Sequence, residues 1–157
     1  MNGLISENFK IVKGLAYSAD VNNGDPASDI INMGTCAKAI ALCVQNSGTT
    51  GTATITAEAC SDFSGSDAEA IAFISREVPD GASDTMSEIV QATVAGITTT
   101  AGEDVIKTVE VISRDMPEGK PYLRIQLTEV VNAPVAGGIT FLLDSSIKSE
   151  NIPTAIA

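Results

Sequence analysis

Period-two alternation of apolar and polar residues dominates this chain. In Ala39-Ile-Ala-Leu-Cys-Val-Gln45, Ile40, Leu42 and Val44 share one face, while Ala39, Ala41, Cys43 and Gln45 share the other. After Asn46-Ser-Gly-Thr-Thr-Gly51 comes Thr52-Ala-Thr-Ile-Thr-Ala-Glu58, where Thr52, Thr54, Thr56 and Glu58 alternate with Ala53, Ile55 and Ala57. Two alternating runs around a short Gly/Ser/Thr loop predict a hairpin, with one face on a core and the threonine face in water. The pattern returns in Val105-Ile-Lys-Thr-Val-Glu-Val-Ile-Ser113. A turn follows at Asp115-Met-Pro-Glu-Gly-Lys-Pro121, then Tyr122-Leu-Arg-Ile-Gln-Leu-Thr128, with Leu123, Ile125 and Leu127 inward. The loop Asn132–Gly138 leads to a last strand, Ile139-Thr-Phe-Leu-Leu143. Phe9 to Tyr17, Ala70 to Arg76 and Thr85 to Thr93 complete the set, and Asp67–Ala72 is long enough for one helical turn. Seven or eight short strands joined by Gly/Pro/Asn/Asp loops predict an all-β fold, an antiparallel β-sandwich or jelly-roll-like barrel.

Both ends differ from this middle. Residues 1–8 and 145–157 are expected to be extended arms flanking a single sandwich domain at 9–144. The second arm carries Ile147, Ile152 and Ile156 with no strand pattern of its own, and the first carries Leu4 and Ile5. An apolar-dotted tail either adds to a neighbouring chain or lies back on its own domain. These five residues are the candidates for contact between subunits.

Composition narrows the chemistry. The 157 residues are 44% hydrophobic and only 4% aromatic, with no Trp, so the core is built from Val, Ile, Leu and Ala. Nine Lys and Arg against twenty Asp and Glu leave −11, which repels the phosphates of nucleic acid and of anionic membranes. No segment approaches the apolar length of a membrane span. The N-terminus, Met1-Asn-Gly-Leu-Ile-Ser-Glu-Asn-Phe-Lys10, lacks the order of a signal peptide, so a soluble chain made in a cytoplasm is expected. The absence of histidine removes Ser-His-Asp and Cys-His sites and histidine-ligated zinc. Three cysteines (Cys36, Cys43, Cys60) form no CxxC pair and read as small buried hydrophobes.

The remaining motifs are weak. Asp20-Val-Asn-Asn-Gly-Asp25 resembles a calcium loop, but its Gly stands fifth and its twelfth position is Ile31. Ser47-Gly-Thr-Thr-Gly51 has no Lys and lies between strands, so it lacks the mechanism of a phosphate loop. Carboxylates cluster at Glu58, Asp62, Asp67 and Glu69, and again at Glu77, Asp80 and Asp84. A glycosidase would pair such groups beside aromatic platforms, and two Tyr and four Phe line little. Arg76, Arg114, Arg124, Lys107 and Lys120 are interleaved with acids and form no basic stripe. No catalytic residue, cofactor or metal is expected.

One resemblance does emerge. Ser28-Asp-Ile-Ile-Asn-Met33, the strand ending Val44-Gln45, Gly51-Thr-Ala-Thr-Ile-Thr-Ala57, Gly65-Ser-Asp-Ala-Glu-Ala-Ile-Ala-Phe73 and Tyr122-Leu-Arg-Ile125 occur in an order similar to that of small structural proteins of tailed bacteriophages. The likeness runs over about residues 28–143, departing at the region 77–102 and in its cysteines. It implies a virion component, a head decoration or cement protein on the outer capsid surface, whose partners are the major capsid protein and copies of itself. A neck, head–tail adaptor or tail subunit is the alternative within the particle. A free-standing glycan-binding sandwich, with Tyr17 and Tyr122 as its tyrosines, is the alternative of another class.

Overall fold

β-Branched and small residues at alternate positions favour pleated strands over helix, and this preference governs nearly the whole chain. The computed structural model describes residues 8–47, 50–79 and 85–144. These contain β1 (Phe9–Ser18), β2 (Ile31–Asn32), β3 (Lys38–Gln45), β4 (Thr52–Cys60), β5 (Glu69–Ile71) and β6 (Phe73–Val78). They continue with β7 (Val90–Ala92), β8 (Ile97–Thr98), β9 (Val105–Ile112), β10 (Tyr122–Val131) and β11 (Gly137–Asp144). Short 3-10 turns occur at Met33–Thr35 and Ser113–Asp115.

The strands form two antiparallel sheets packed face to face. One has six strands in the order β1-β11-β3-β9-β6-β7, the other runs β2-β10-β4-β5, and β8 lies beside β5 on the same edge of β4. With β6, β7 and β8 set aside, the other eight strands follow the order of a double-sheet jelly roll: first, eighth, third and sixth in one sheet, second, seventh, fourth and fifth in the other. The expected all-β sandwich is therefore the fold.

Several local expectations are corrected. β3 and β4 do not pair as a hairpin; they stand in opposite sheets, β3 between β11 and β9, and β4 against β10. Alternation identifies a strand but carries no address for its partner, and in this topology most connections cross the sandwich. The predicted strand from Ala70 to Arg76 breaks at Ala72 into β5 and β6, one in each sheet. The helical turn at 67–72 does not form, because Glu69–Ile71 pairs with Ala57–Ala59. Of the segment 85–93 only Val90–Ala92 is strand. The two-residue strands β2 and β8 are too short to show a periodicity.

The core lies between the sheets. Phe141, Ile139, Leu143 and Val109 meet Ile55, Leu123, Ile125 and Leu127, with Ala39, Ala41, Ala57 and Ala59 as the thin spots. Full burial of each large side chain stabilises by roughly 1.5–3 kcal/mol. Leu123, Ile125 and Leu127 point inward as their spacing requires. Gly14 makes room for the largest of the core residues. The register shifts between Lys13 and Leu15, and a Cβ at Gly14 would stand 2.5 Å from the Phe141 ring. In β3 the bulk is inverted: Ala39, Ala41 and Cys43 are buried, whereas Ile40, Leu42 and Val44 face outward.

Candidate docking face

That inversion shapes the outer surface of the six-stranded sheet. Residues directly opposite across antiparallel strands share a face, so the register gives the surface row by row. One row crosses all six strands as Ile11, Leu142, Ile40, Glu110, Ile74 and Gln91. The next holds Lys13, Thr140, Leu42, Thr108 and Arg76. Beyond it lie Gly138, Val44, Ile106 and Val78, and at the opposite end Phe9, Asp144, Lys38 and Ile112. The aliphatic side chains shield one another and are half-buried, except Ile11, which is 61% exposed. Gly138 leaves a depression of about 240 Å³ bordered by Val44, Leu15 and Tyr17. The strand positions of this face carry three cations, Lys13, Lys38 and Arg76, against two anions, Glu110 and Asp144, so it is +1 in a chain of −11. Lys38 reaches Glu110 at 3.5 Å.

The outer face of the second sheet has the opposite character. Its rows contain Arg124 against Glu58, Gln126 against Thr56, Thr128 against Thr54, and Thr54 against Thr98. Arg124 Nε donates to Glu58 Oε2 at 2.7 Å, and the Thr54 and Thr98 hydroxyls are 3.0 Å apart. The only ring pair among the described residues, Phe63 and Tyr122, lies at one end of this sheet with centroids 4.4 Å apart. Tyr17 stands on β1 of the other sheet, 64% exposed, and accepts a hydrogen bond from Asn46 Nδ2. The two tyrosines thus share no cleft.

The motifs singled out for chemistry have structural uses. In the calcium-like loop, Asn22 is buried and its Oδ1 accepts from Gln45 Nε2, while Asp25 Oδ1 accepts from the Glu129 amide. Among the described residues no three His, Cys, Asp or Glu side chains gather as metal ligands. Asp62 accepts from the Ser64 hydroxyl at 2.6 Å and from its amide at 2.8 Å, which hold its carboxyl below the usual range. The Ser61 amide does the same for Asp67, and the hydrogen bond to Glu69 raises Lys120. A glycosidase acid needs a raised pKa; Asp62 and Asp67 are shifted the other way. Asp80 and Asp84 lie outside the described residues, as do Gly48 and Thr49 of the glycine-threonine loop. All three cysteines are buried and free. Burial pushes Cys43 up to about 12 and, with help from Asp144, Cys36 up to about 11; it also raises Cys60. These thiols stay protonated at neutral pH, and thiolate is the reactive form.

Leu4, Ile5, Ile147, Ile152 and Ile156, expected at subunit contacts, lie outside the described residues, as do both arms except Asn8. The aliphatic face itself was not singled out from sequence. Its signal is the run Ile40-Ala-Leu-Cys-Val44, apolar at both parities, which is the pattern of a strand covered on both sides. No helix among the described residues is long and apolar enough to cross a membrane. A scan against protein-family models finds no match, and a search of curated proteins finds no relative.

Proposed function

We propose that this protein is a non-enzymatic structural component of a tailed-phage particle, a decoration protein that binds the outer capsid surface and ties its subunits together. The observation that carries the reading is the broad aliphatic outer face of one sheet. It stands in a chain whose Asp62, Asp67 and Glu69 carboxylates are committed to turns and ion pairs, and whose three thiols are committed to the core. An outward-facing, contiguous apolar surface of this kind, with Ile11 exposed at its edge, marks association with another protein, the capsid or a second copy of this chain. The sequence order similar to small phage structural proteins supports a phage particle as the assembly, and the acidic balance suits a position outside the packaged DNA. The jelly-roll order serves viral shells and lectins alike, so it agrees with the proposal without selecting it. Tyr17 and Tyr122 in different sheets weigh against the glycan-binding alternative.

A protein that binds only the assembled shell stabilises it by RT ln(1 + [L]/Kd), about 2.7 kcal/mol at a hundred times Kd. Repetition of weak contacts over a lattice adds avidity. Shells heated with and without the protein test this: a raised rupture temperature is expected, and equal temperatures overturn it. Copy number separates decoration from the neck alternative, since hundreds per particle are expected for a surface component.

A further inference from the structure

We propose that the outer face of the six-stranded sheet is the contact between two copies of this chain, packed face to face. This deepens the reading above, and rests on it, by naming the surface and the partner through which the protein becomes multivalent.

The chain carries its own comparison for what an uncovered sheet face looks like. On the second sheet the outward rows are mostly polar, with Thr54, Thr56, Thr98 and Thr128 beside Arg124, Glu58 and Gln126, and the exposed Val131 at their end opposite Thr52. On the first sheet the equivalent rows hold Ile40, Leu42, Val44, Ile74, Ile106 and Leu142, with Thr108, Thr140, Glu110, Lys13 and Arg76 set among them. Threonine would serve pleating as well, so strand preference does not account for the aliphatics, and contact with another apolar surface does. The effect is strongest at the middle of the sheet. β3 and β11 are interior strands, and both are apolar at both parities in Ile40–Val44 and Phe141–Leu143.

Size and charge favour a second copy as the occupant. Five long strands at about 4.8 Å spacing and about eight residues at about 3.4 Å rise make a face of roughly 650 Å². Two such faces bury on the order of 1,300 Å², within the range of stable specific interfaces. Most of the surface of a −11 chain repels its own copy, but this face is +1 and presents both signs, so two copies meet where repulsion is least. The contact is isologous: each substitution on the face counts twice.

The test uses the full chain in sedimentation equilibrium from about 1 to 100 µM. A dimer is expected, and the double variant Ile40→Thr/Leu42→Thr, which keeps strand-compatible residues, is expected to raise its dissociation constant by roughly 100-fold or more with an unchanged far-UV spectrum. Thr56→Val on the other outer face is expected to leave it unmoved. On the unaltered protein, mixed-label methyl NMR is expected to give intermolecular contacts at Ile40, Leu42 and Ile106. A monomer at about 100 µM, a dimer indifferent to the double variant, or methyl contacts only from Ile147, Ile152 or Ile156 of the same chain would each overturn the inference. A dimer that leaves shell rupture unchanged defeats the cement reading alone; a monomer that still raises the rupture temperature defeats this one alone.

Discussion

Substituting β3 on its two faces separates an inverted strand, small inside and bulky outside, from the ordinary reading of an alternating one. Ala41 is fully buried, and its register partners Phe141 and Val109 flank it on the inner face. The opposing sheet packs about 10 Å away, so a leucine at 41 must push Phe141 from its place or part the sheets. Ala41→Leu is expected to destabilise by about 1–3 kcal/mol, the magnitude of overpacking in a close-packed core. Leu42 faces outward and is half-buried by its neighbours. Leu42→Thr forfeits only part of the roughly 1.5–3 kcal/mol of a full leucine burial and keeps strand propensity, so about 1 kcal/mol or less is expected. Urea unfolding over a dilution series, taken to the range where the midpoint no longer depends on protein concentration so that association adds nothing, measures both through shifts in midpoint at constant slope. If Leu42→Thr were to cost about 3 kcal/mol while Ala41→Leu was tolerated, the core would lie on the side of Leu42 and the docking face would vanish with it.

Buried ionisable groups supply two more expectations. Burial places the folded-state Cys43 and Cys36 thiols at about 12 and about 11, above the roughly 8.5 of a free thiol, so the unfolded chain loses these protons first. Their contribution is fully present below about pH 8.5 and falls as pH rises toward those values, by at most about 1.4 kcal/mol per pH unit for each thiol. Urea midpoints from about pH 8 to 10.5 should decline, and Cys43→Ala should make the decline shallower; an unaltered slope would discount burial as its cause. Lys107 faces inward on β9, only 8% exposed, and pairs with Glu77 across the β6–β9 ladder. Glu77→Ala is expected to cost about 2 kcal/mol, below the roughly 3–5 of a fully buried pair because Glu77 is partly exposed. Replacing both partners, Lys107→Met with Glu77→Leu, should come close to neutral in the same assay, and an equal loss in both variants would refute the charge argument.

Much of this fold is legible residue by residue. Alternation in Tyr122–Thr128 places Leu123, Ile125 and Leu127 inward, as they are, because a pleat forces side chains to opposite sides whatever the strand pairs with. The same rule marks Thr52–Glu58 as a strand with one wet face. Composition likewise dictates an aliphatic and alanine core, and the missing histidine bounds the chemistry. Pairing is another matter. Gly51 reads as part of a hairpin loop, yet the connection carries the chain from one sheet to the other, and a Cβ at Gly51 would stand 2.1 Å from the Ala133 carbonyl of a distant loop. Ala72, the break between β5 and β6, carries no local signal at all. Partner choice depends on contacts between residues far apart along the chain, and no short window of residues contains them.

The aliphatic outer face divides in the same way. The run Ile40–Val44 declares that both of its sides are apolar, and that much belongs to the order of residues alone. Which side meets the core is a matter of packing. Phe141, Ile55 and Ile125, all fully buried, help fill the layer between the sheets, so the inner side of β3 admits only small side chains at Ala39, Ala41 and Cys43. The one-dimensional pattern thus dictates a pleated chain, apolar inside, acidic outside and without histidine chemistry. The choice of neighbouring strands, and of the apolar side of β3 that faces away from the core, is made in three dimensions, because volume in a close-packed interior is shared among residues that chain order keeps apart.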